Sequence, residues 1–221
     1  MPLFGPLHLA LLAATAALAG GLAILCRRKP MAGRPVRLAL GWGLAANELV
    51  WFAFRYSHEG LHLRNLPLQL CDLTVWVSVF ACLTAKPWLV EFDYFAGLAG
   101  AGMALVTPDL WSPWPSYPAI YFFLAHGGIV TAALVMVYGR ISPLREGAVW
   151  RAYGYLLGWA AIAGTFNLLA KTNYMYLCRK PASDTALNLL GPWPVYLLVG
   201  AAVGLALFWI LWLPARPRRA H

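Results

Sequence analysis

Seven long apolar stretches constrain this chain more than any other feature of its sequence. Each has about 20 residues, the length that an α-helix needs to cross a hydrocarbon core of roughly 30 Å. Most charged residues lie in the short connections between them. The stretches are residues 6–26, 36–54, 66–84, 88–106, 119–139, 150–170 and 195–213. This pattern predicts that the chain crosses a membrane about seven times.

The composition excludes most other classes of protein. Of the 221 residues, 61% are hydrophobic and 11% are charged, whereas a soluble domain has about 45–50% apolar and about 25% charged residues. One small soluble core cannot bury this excess, and disorder, collagen and coiled coils have other compositions. The net charge of +9 is therefore interpreted against a membrane rather than against nucleic acid. We predict an all-α polytopic membrane helical bundle forming a single integral membrane domain over residues 1–221.

The basic residues predict the orientation of the bundle. If the odd-numbered connections are cytoplasmic, twelve of the 17 Lys and Arg residues lie inside and five lie outside. Cytoplasmic loops carry an excess of Lys and Arg, so we expect a cell-membrane protein with its N-terminus outside and its C-terminus in the cytoplasm. The inside set is Arg27, Arg28, Lys29, Arg34, Arg37, Lys86, Arg140, Arg145, Arg151, Arg216, Arg218 and Arg219, and the outside set is Arg55, Arg64, Lys171, Arg179 and Lys180.

Four polar side chains from four predicted helices fall in one layer below the outer surface. At about 1.5 Å per residue, Cys71, Glu48 and His126 lie roughly 7.5 to 10 Å from the outer ends of their segments. Asn167 lies within about one turn of the outer end of its segment. Polar groups inside membrane spans cost free energy and often mark functional sites. No comparable layer is evident in the inner half of the bundle.

The first helical turns of the third segment favour chemistry at Cys71. Cys71, Thr74 and Ser78 recur at spacings that place them on one helical face, and Pro67 suits a first-turn position. A thiol near the positive N-terminal end of a helix is favoured as the thiolate. A nucleophilic thiol also needs a base, and His126 is expected at the matching depth.

Structural interpretations of these residues stay open. Cys71 can be a small hydrophobic residue or form a disulfide with Cys178, and Glu48 can pair with Arg55. His58 and His62 are four residues apart, as metal ligands on a helix can be, but no third ligand accompanies them. We therefore expect no metal and no cofactor.

Several motifs resemble the YwaF-type family of bacterial integral membrane proteins. Residues 65–73 read NLPLQLCDL, residues 173–181 read NYMYLCRKP and residues 191–196 read GPWPVY, accompanied by Thr107–Pro108 and His126–Gly127. The arrangement is also similar to a vertebrate cysteine-dependent acyltransferase that makes ether phospholipids. That resemblance implies Cys71 and His126 as the catalytic pair. A more distant likeness is to membrane hydrolases of fatty acid esters, which use a threonine and a histidine, and Thr74, one turn from Cys71, could be mistaken for that threonine.

The residues and the resemblance together predict a lipid acyltransferase that needs no coenzyme A. Cys71 would carry the acyl group as a thioester, and His126 would act as the base. The candidate residues that position substrate or catalytic groups are Glu48, Thr74, Asn167, Asn173 and Tyr174. The expected partner is a membrane phospholipid or lysolipid. A hydrolase with the same pair, and a non-enzymatic transporter or lipid-binding protein, remain alternatives.

Overall fold

Seven helices account for most of the chain, as the apolar stretches predict. The computed structural model describes residues 1–110, 112–180 and 189–217, and within them it contains no strand. The helices are α1 (Pro6–Arg28), α2 (Gly33–Glu59), α3 (Leu70–Thr84), α4 (Pro87–Val106), α5 (Tyr117–Tyr138), α6 (Ala148–Ala170) and α7 (Val195–Ala215). Short 3₁₀ turns occupy Pro30–Ala32 and Tyr174–Tyr176. The all-α bundle is therefore confirmed. Three residues that the sequence analysis used lie outside the described residues: Pro181, Arg218 and Arg219.

The helices differ in how much of their surface faces away from the protein. In the described residues, α1, α4, α5 and α7 are long and apolar enough to span a membrane, and α3 is a shorter apolar helix. Only 17% of the apolar window of α1 and 11% of that of α7 are buried, against 61% for α4 and 72% for α5. Helices α4 and α5 therefore form the centre of the bundle, whereas α1 and α7 present apolar surface that suits lipid.

The helix ends meet at two faces. At the first, here called the N-terminal face, His8 Nε2 lies 2.8 Å from the Leu105 carbonyl oxygen, which joins the start of α1 to the end of α4. The Tyr174 hydroxyl donates to the Leu63 carbonyl at 2.8 Å on the same face. At the opposite, basic face, the Arg37 guanidinium donates to the carbonyls of Cys82 and Leu83, where α2 starts and α3 ends. Consecutive helices thus run in alternating directions.

Helix α3 begins later than its apolar pattern predicts. Pro67 lies before the helix and not in its first turn, because Gln69 is the residue that caps the helix. The Gln69 amide donates to the Asp72 carboxylate at 3.1 Å, as in a capping box. Cys71 is consequently the second residue of α3.

Helix α4 changes its winding in the middle. Residues Asp93–Gly97 form a π-helical turn, a feature often found at functional sites. A Cβ atom on Gly97 would lie only 2.8 Å from both Asp93 Oδ1 and Ile129 Cγ2. Glycine is therefore required at this position for the close packing of α4 against α5.

Candidate functional site

Glu48 lies in a closed environment in the half of the bundle below the N-terminal face. Its side chain is 0% exposed, and its Oε2 accepts a hydrogen bond from the Tyr121 hydroxyl at 2.7 Å. The Tyr121 ring stacks on Trp51 with a centroid distance of 4.2 Å. Glu48 Oε1 has no hydrogen-bond partner within the described part of the chain. The alternative pair with Arg55 is not formed, because Arg55 bonds Glu59 at 3.3 Å.

Cys71 is a free, half-buried cysteine at the start of α3. Cys178 is also free, so the two do not form a disulfide. Tyr121 lies close enough to Cys71 and Asp72 to interact electrostatically with both. The N-terminal end of α3 favours a negative charge on the thiol, whereas the adjacent Asp72 carboxylate opposes it. A thiolate at Cys71 is therefore less favoured than its position at the start of the helix alone predicts.

His126 is held in one tautomer. Its Nδ1 lies 2.8 Å from the Phe122 carbonyl oxygen, and a carbonyl only accepts, so Nδ1 carries the proton. Nε2 is then left with its lone pair, as a general base requires. Among the residues that the structure describes, no hydrogen bond joins His126 to Cys71.

The neighbours of α5 explain why the imidazole and the thiol are not bonded. Tyr121 faces α2 and α3, whereas His126, five residues later, points about 140° around the helix axis. Phe122 and Phe123 of α5 pack with Leu105 and with residues of α1. His126 belongs to this side of α5, next to α1 and the end of α4. The expected close approach of Cys71 and His126 stays a prediction.

Asn167 fixes the connection that follows α6. Its amide group donates to the Tyr174 carbonyl at 2.9 Å, and its Oδ1 accepts from the Thr172 hydroxyl at 2.8 Å and the Tyr174 amide at 2.7 Å. Asn173 Oδ1 accepts from the amides of Cys178 and Arg179. These contacts give Asn167 and Asn173 positioning roles within the connection.

Tyr174 and Gln69 attach that connection to the rest of the N-terminal face. Tyr174 is 3% exposed and bonds Leu63, while the Met175 amide donates to the Gln69 side chain at 2.9 Å. Gln69 immediately precedes α3, so the NYMY motif is tied to the turn that presents Cys71.

The polar face of α3 continues deeper than the sequence indicated. Thr74 is buried, and its hydroxyl donates to the Cys71 carbonyl at 3.0 Å. Ser78 lies one turn further on, and its Oγ is 2.5 Å from Asp93 Oδ1 of α4. The expectation of no comparable polar layer in the inner half overlooked Asp93, which lies within a strongly apolar stretch. A fully buried carboxylate in such a stretch is itself the signal that identifies it.

Glu91 was also overlooked, and its role is structural. It is 1% exposed and accepts two hydrogen bonds each from the guanidinium groups of Arg145 and Arg151, at 2.8 to 3.0 Å. These bonds to Glu91 raise the pKa of Arg145 in the α5–α6 connection. The cluster joins the start of α4 to α6 at the basic face.

Comparison with known proteins identifies the family to which this chain belongs. No curated protein and no solved structure matches the chain. The model of the TMEM164 family matches residues 3–212, a range that includes all seven helices apart from the last residues of α7. The polar layer of Glu48, Cys71, His126 and Asn167 lies entirely within the match. The chain therefore belongs to the TMEM164 family, a family of membrane proteins.

Proposed function

We propose that this membrane protein is a lipid acyltransferase that moves an acyl chain from a phospholipid to a lysolipid through a thioester on Cys71. The observation that carries the proposal is a free, half-buried cysteine in the first turn of α3, together with a histidine of α5 whose Nε2 is unprotonated. The sequence resemblance to a cysteine-dependent acyltransferase supports the same assignment.

The proposed reaction has two steps with one base. His126 Nε2 accepts the thiol proton while the Cys71 sulfur attacks the ester carbonyl of the donor lipid. The lysolipid leaves as an alcohol after taking that proton from the imidazolium, and the acyl group remains as a thioester. His126 then deprotonates the acceptor hydroxyl, which attacks the thioester and releases the new ester. The proton returns to the Cys71 sulfur.

The first turn of α3 offers donors for the developing oxyanion. The early amides of a helix have no acceptor within the helix; the Asp72 amide is bound by the Gln69 side chain, which leaves the amides of Leu70 and Cys71 in the turn that carries the thiol. Glu48 and Tyr121 form a hydrogen-bonded pair in the same half of the bundle. In the proposal this pair positions the polar headgroup, and the closing of His126 on Cys71 follows lipid binding.

The proposal includes a phospholipid donor rather than acyl-CoA. It places the N-terminal face outside the cell, where five of the 17 basic residues lie. Acyl-CoA is a cytoplasmic metabolite with anionic phosphates, whereas phospholipids are present in the outer leaflet. Because a thioester roughly conserves the free energy of the original ester, the transfer requires no nucleotide.

A reconstituted transfer assay tests the proposal. Purified protein in vesicles that contain labelled phospholipid and a lysolipid acceptor should transfer label without added acyl-CoA. Cys71→Ala should abolish the transfer, and Cys178→Ala is the matched control, because Cys178 is also free and lies in the connection tied to the same face. Transfer that requires acyl-CoA, or that survives Cys71→Ala, contradicts the mechanism. Release of free fatty acid without an acceptor assigns a hydrolase instead.

Transport is a second candidate, favoured by one observation. The polar side chains of α3 continue from Cys71 through Thr74 and Ser78 to the buried Asp93. Polar groups at this depth mark substrate and ion pathways in many membrane proteins. Movement of a lipid or ion across protein-containing vesicles, unchanged in Cys71→Ala, would support this candidate over the transferase.

A further inference from the structure

We infer that Asp93 and Ser78 form a proton-binding site in the centre of the bundle, in which Asp93 is held as a neutral carboxylic acid that donates its proton to Ser78. This site is separate from the proposed thioester chemistry at Cys71. Its ligand is a proton, and the inference rests on burial, on the number of available hydrogens and on the shape of the π turn.

The surroundings of Asp93 do not support an ionised carboxylate. Its side chain is 0% exposed, and within the described residues no Lys, Arg or His forms an ion pair with it. Ser78 is its one hydrogen-bond partner there, and Oδ2 has none. A buried charge without a partner is disfavoured, and such groups become neutral by binding a proton.

The hydrogen atoms at Ser78 indicate which group holds the proton. Ser78 Oγ lies 2.8 Å from the Thr74 carbonyl oxygen and 2.5 Å from Asp93 Oδ1. A hydroxyl has one hydrogen to donate, and the Thr74 carbonyl only accepts. Both contacts can be hydrogen bonds at once only if a second hydrogen is present, and Asp93 Oδ1 is the partner that can carry it. The 2.5 Å separation suits a strong O–H···O bond.

The π turn shapes the site around this side chain. Asp93 Oδ1 lies 2.8 Å from the position that a Cβ atom on Gly97 would take. The absence of a side chain at Gly97 therefore leaves the space that the carboxyl group occupies. Ile129 of α5 closes the same space from the other side. The site is thus built from α3, the π turn of α4 and α5.

The titratable groups that the structure describes near Asp93 do not neutralise its carboxylate in place of a bound proton. Cys82 of α3 lies close enough to interact with Asp93, but a thiol cannot neutralise a carboxylate. Tyr94 is engaged with the Tyr138 hydroxyl and the Leu211 carbonyl, and Arg37 donates to carbonyls at the end of α3. Ionisation of Asp93 would leave an unpaired anion between α3 and α4.

Infrared difference spectroscopy of the full-length protein in vesicles tests the site. At neutral pH, the wild-type spectrum minus that of Asp93→Asn should show the carbonyl band of one protonated carboxylic acid. Asp109→Asn is the matched control, because Asp109 is exposed at the N-terminal face and its loss should remove carboxylate bands. If Asp93→Asn removes carboxylate bands in the same way, the inference is wrong.

A second variant serves if Asp93→Asn does not fold. Ser78→Ala keeps the carboxyl group but removes its hydrogen-bond acceptor. If Asp93 is neutral, its carbonyl band should persist and shift to higher frequency. A spectrum without any change in the region of protonated carboxylic acids would overturn the inference, because an ionised Asp93 has no such band to shift.

Discussion

Replacing Gly97 with alanine tests how tightly the π turn is packed. The new methyl carbon would lie 2.8 Å from Asp93 Oδ1 and 2.8 Å from Ile129 Cγ2, closer than van der Waals contact allows. Both neighbours are buried, with 0% exposure, so neither has free space to occupy. Adding one carbon to a filled core typically costs about 1–3 kcal/mol. At about 2–4 °C per kcal/mol for a chain of this size, we expect the melting temperature in detergent to fall by about 2–12 °C.

The same helix provides matched controls for this substitution. A Cβ atom on Gly100 would contact only Leu70 Cδ2, at 3.8 Å, and one on Gly102 would meet nothing within 4 Å. Alanine at these positions should be neutral or stabilising by about 0.4–1 kcal/mol, because it restricts the unfolded chain. The comparison uses thermal unfolding of all three variants in one detergent. Equal melting temperatures for Gly97→Ala and Gly102→Ala would refute the packing argument.

Two further predictions concern the polar contacts at the two faces. Replacing both Arg145 and Arg151 with alanine should lower the free energy of unfolding by about 3–5 kcal/mol, because it leaves the buried Glu91 carboxylate unpaired. Either single replacement should lower the free energy of unfolding by less than half of that amount, because the other guanidinium remains bonded. If the losses of the two single variants add up to that of the double variant, this coupling is contradicted. Asn167→Ala should lower the free energy of unfolding by about 1–3 kcal/mol and make the α6–α7 connection more sensitive to limited proteolysis. Thr165→Ala, two residues earlier and on the exposed face of the helix, should leave the cleavage rate unchanged.

The sequence predicts the helices well because membrane spans have a strong and simple signal. All seven apolar stretches correspond to helices, and most ends agree within a few residues. The start of α3 was misplaced, because apolar residues continue before the helix through residues 66–68 and the cap at Gln69 depends on one side-chain contact with Asp72. Hydropathy alone does not contain that information.

The polar layer was predicted less completely than the helices, because the sequence gives the position of a residue along a helix but not the direction of its side chain. Depth along a helix follows from residue counting, which is why Glu48 and Asn167 were recognised as polar groups inside the bundle. The direction of a side chain depends on helix rotation, which counting does not determine, so the hydrogen bond between Glu48 and Tyr121 was not anticipated. Asp93 was overlooked because its neighbours are strongly apolar, although the π turn and Gly97 accommodate it.

Trapping of an acyl group on Cys71 tests the proposed function most directly. The full-length protein in vesicles is incubated with labelled phospholipid but without a lysolipid acceptor, and the peptide that carries Cys71 is analysed by mass spectrometry. We predict an acyl thioester on Cys71, removable by hydroxylamine and absent from Cys178, that disappears when a lysolipid is added. His126→Gln should slow its formation by about 10²–10⁴-fold, the usual contribution of a general base. Acyl transfer that proceeds without any acyl group on Cys71 would contradict the account.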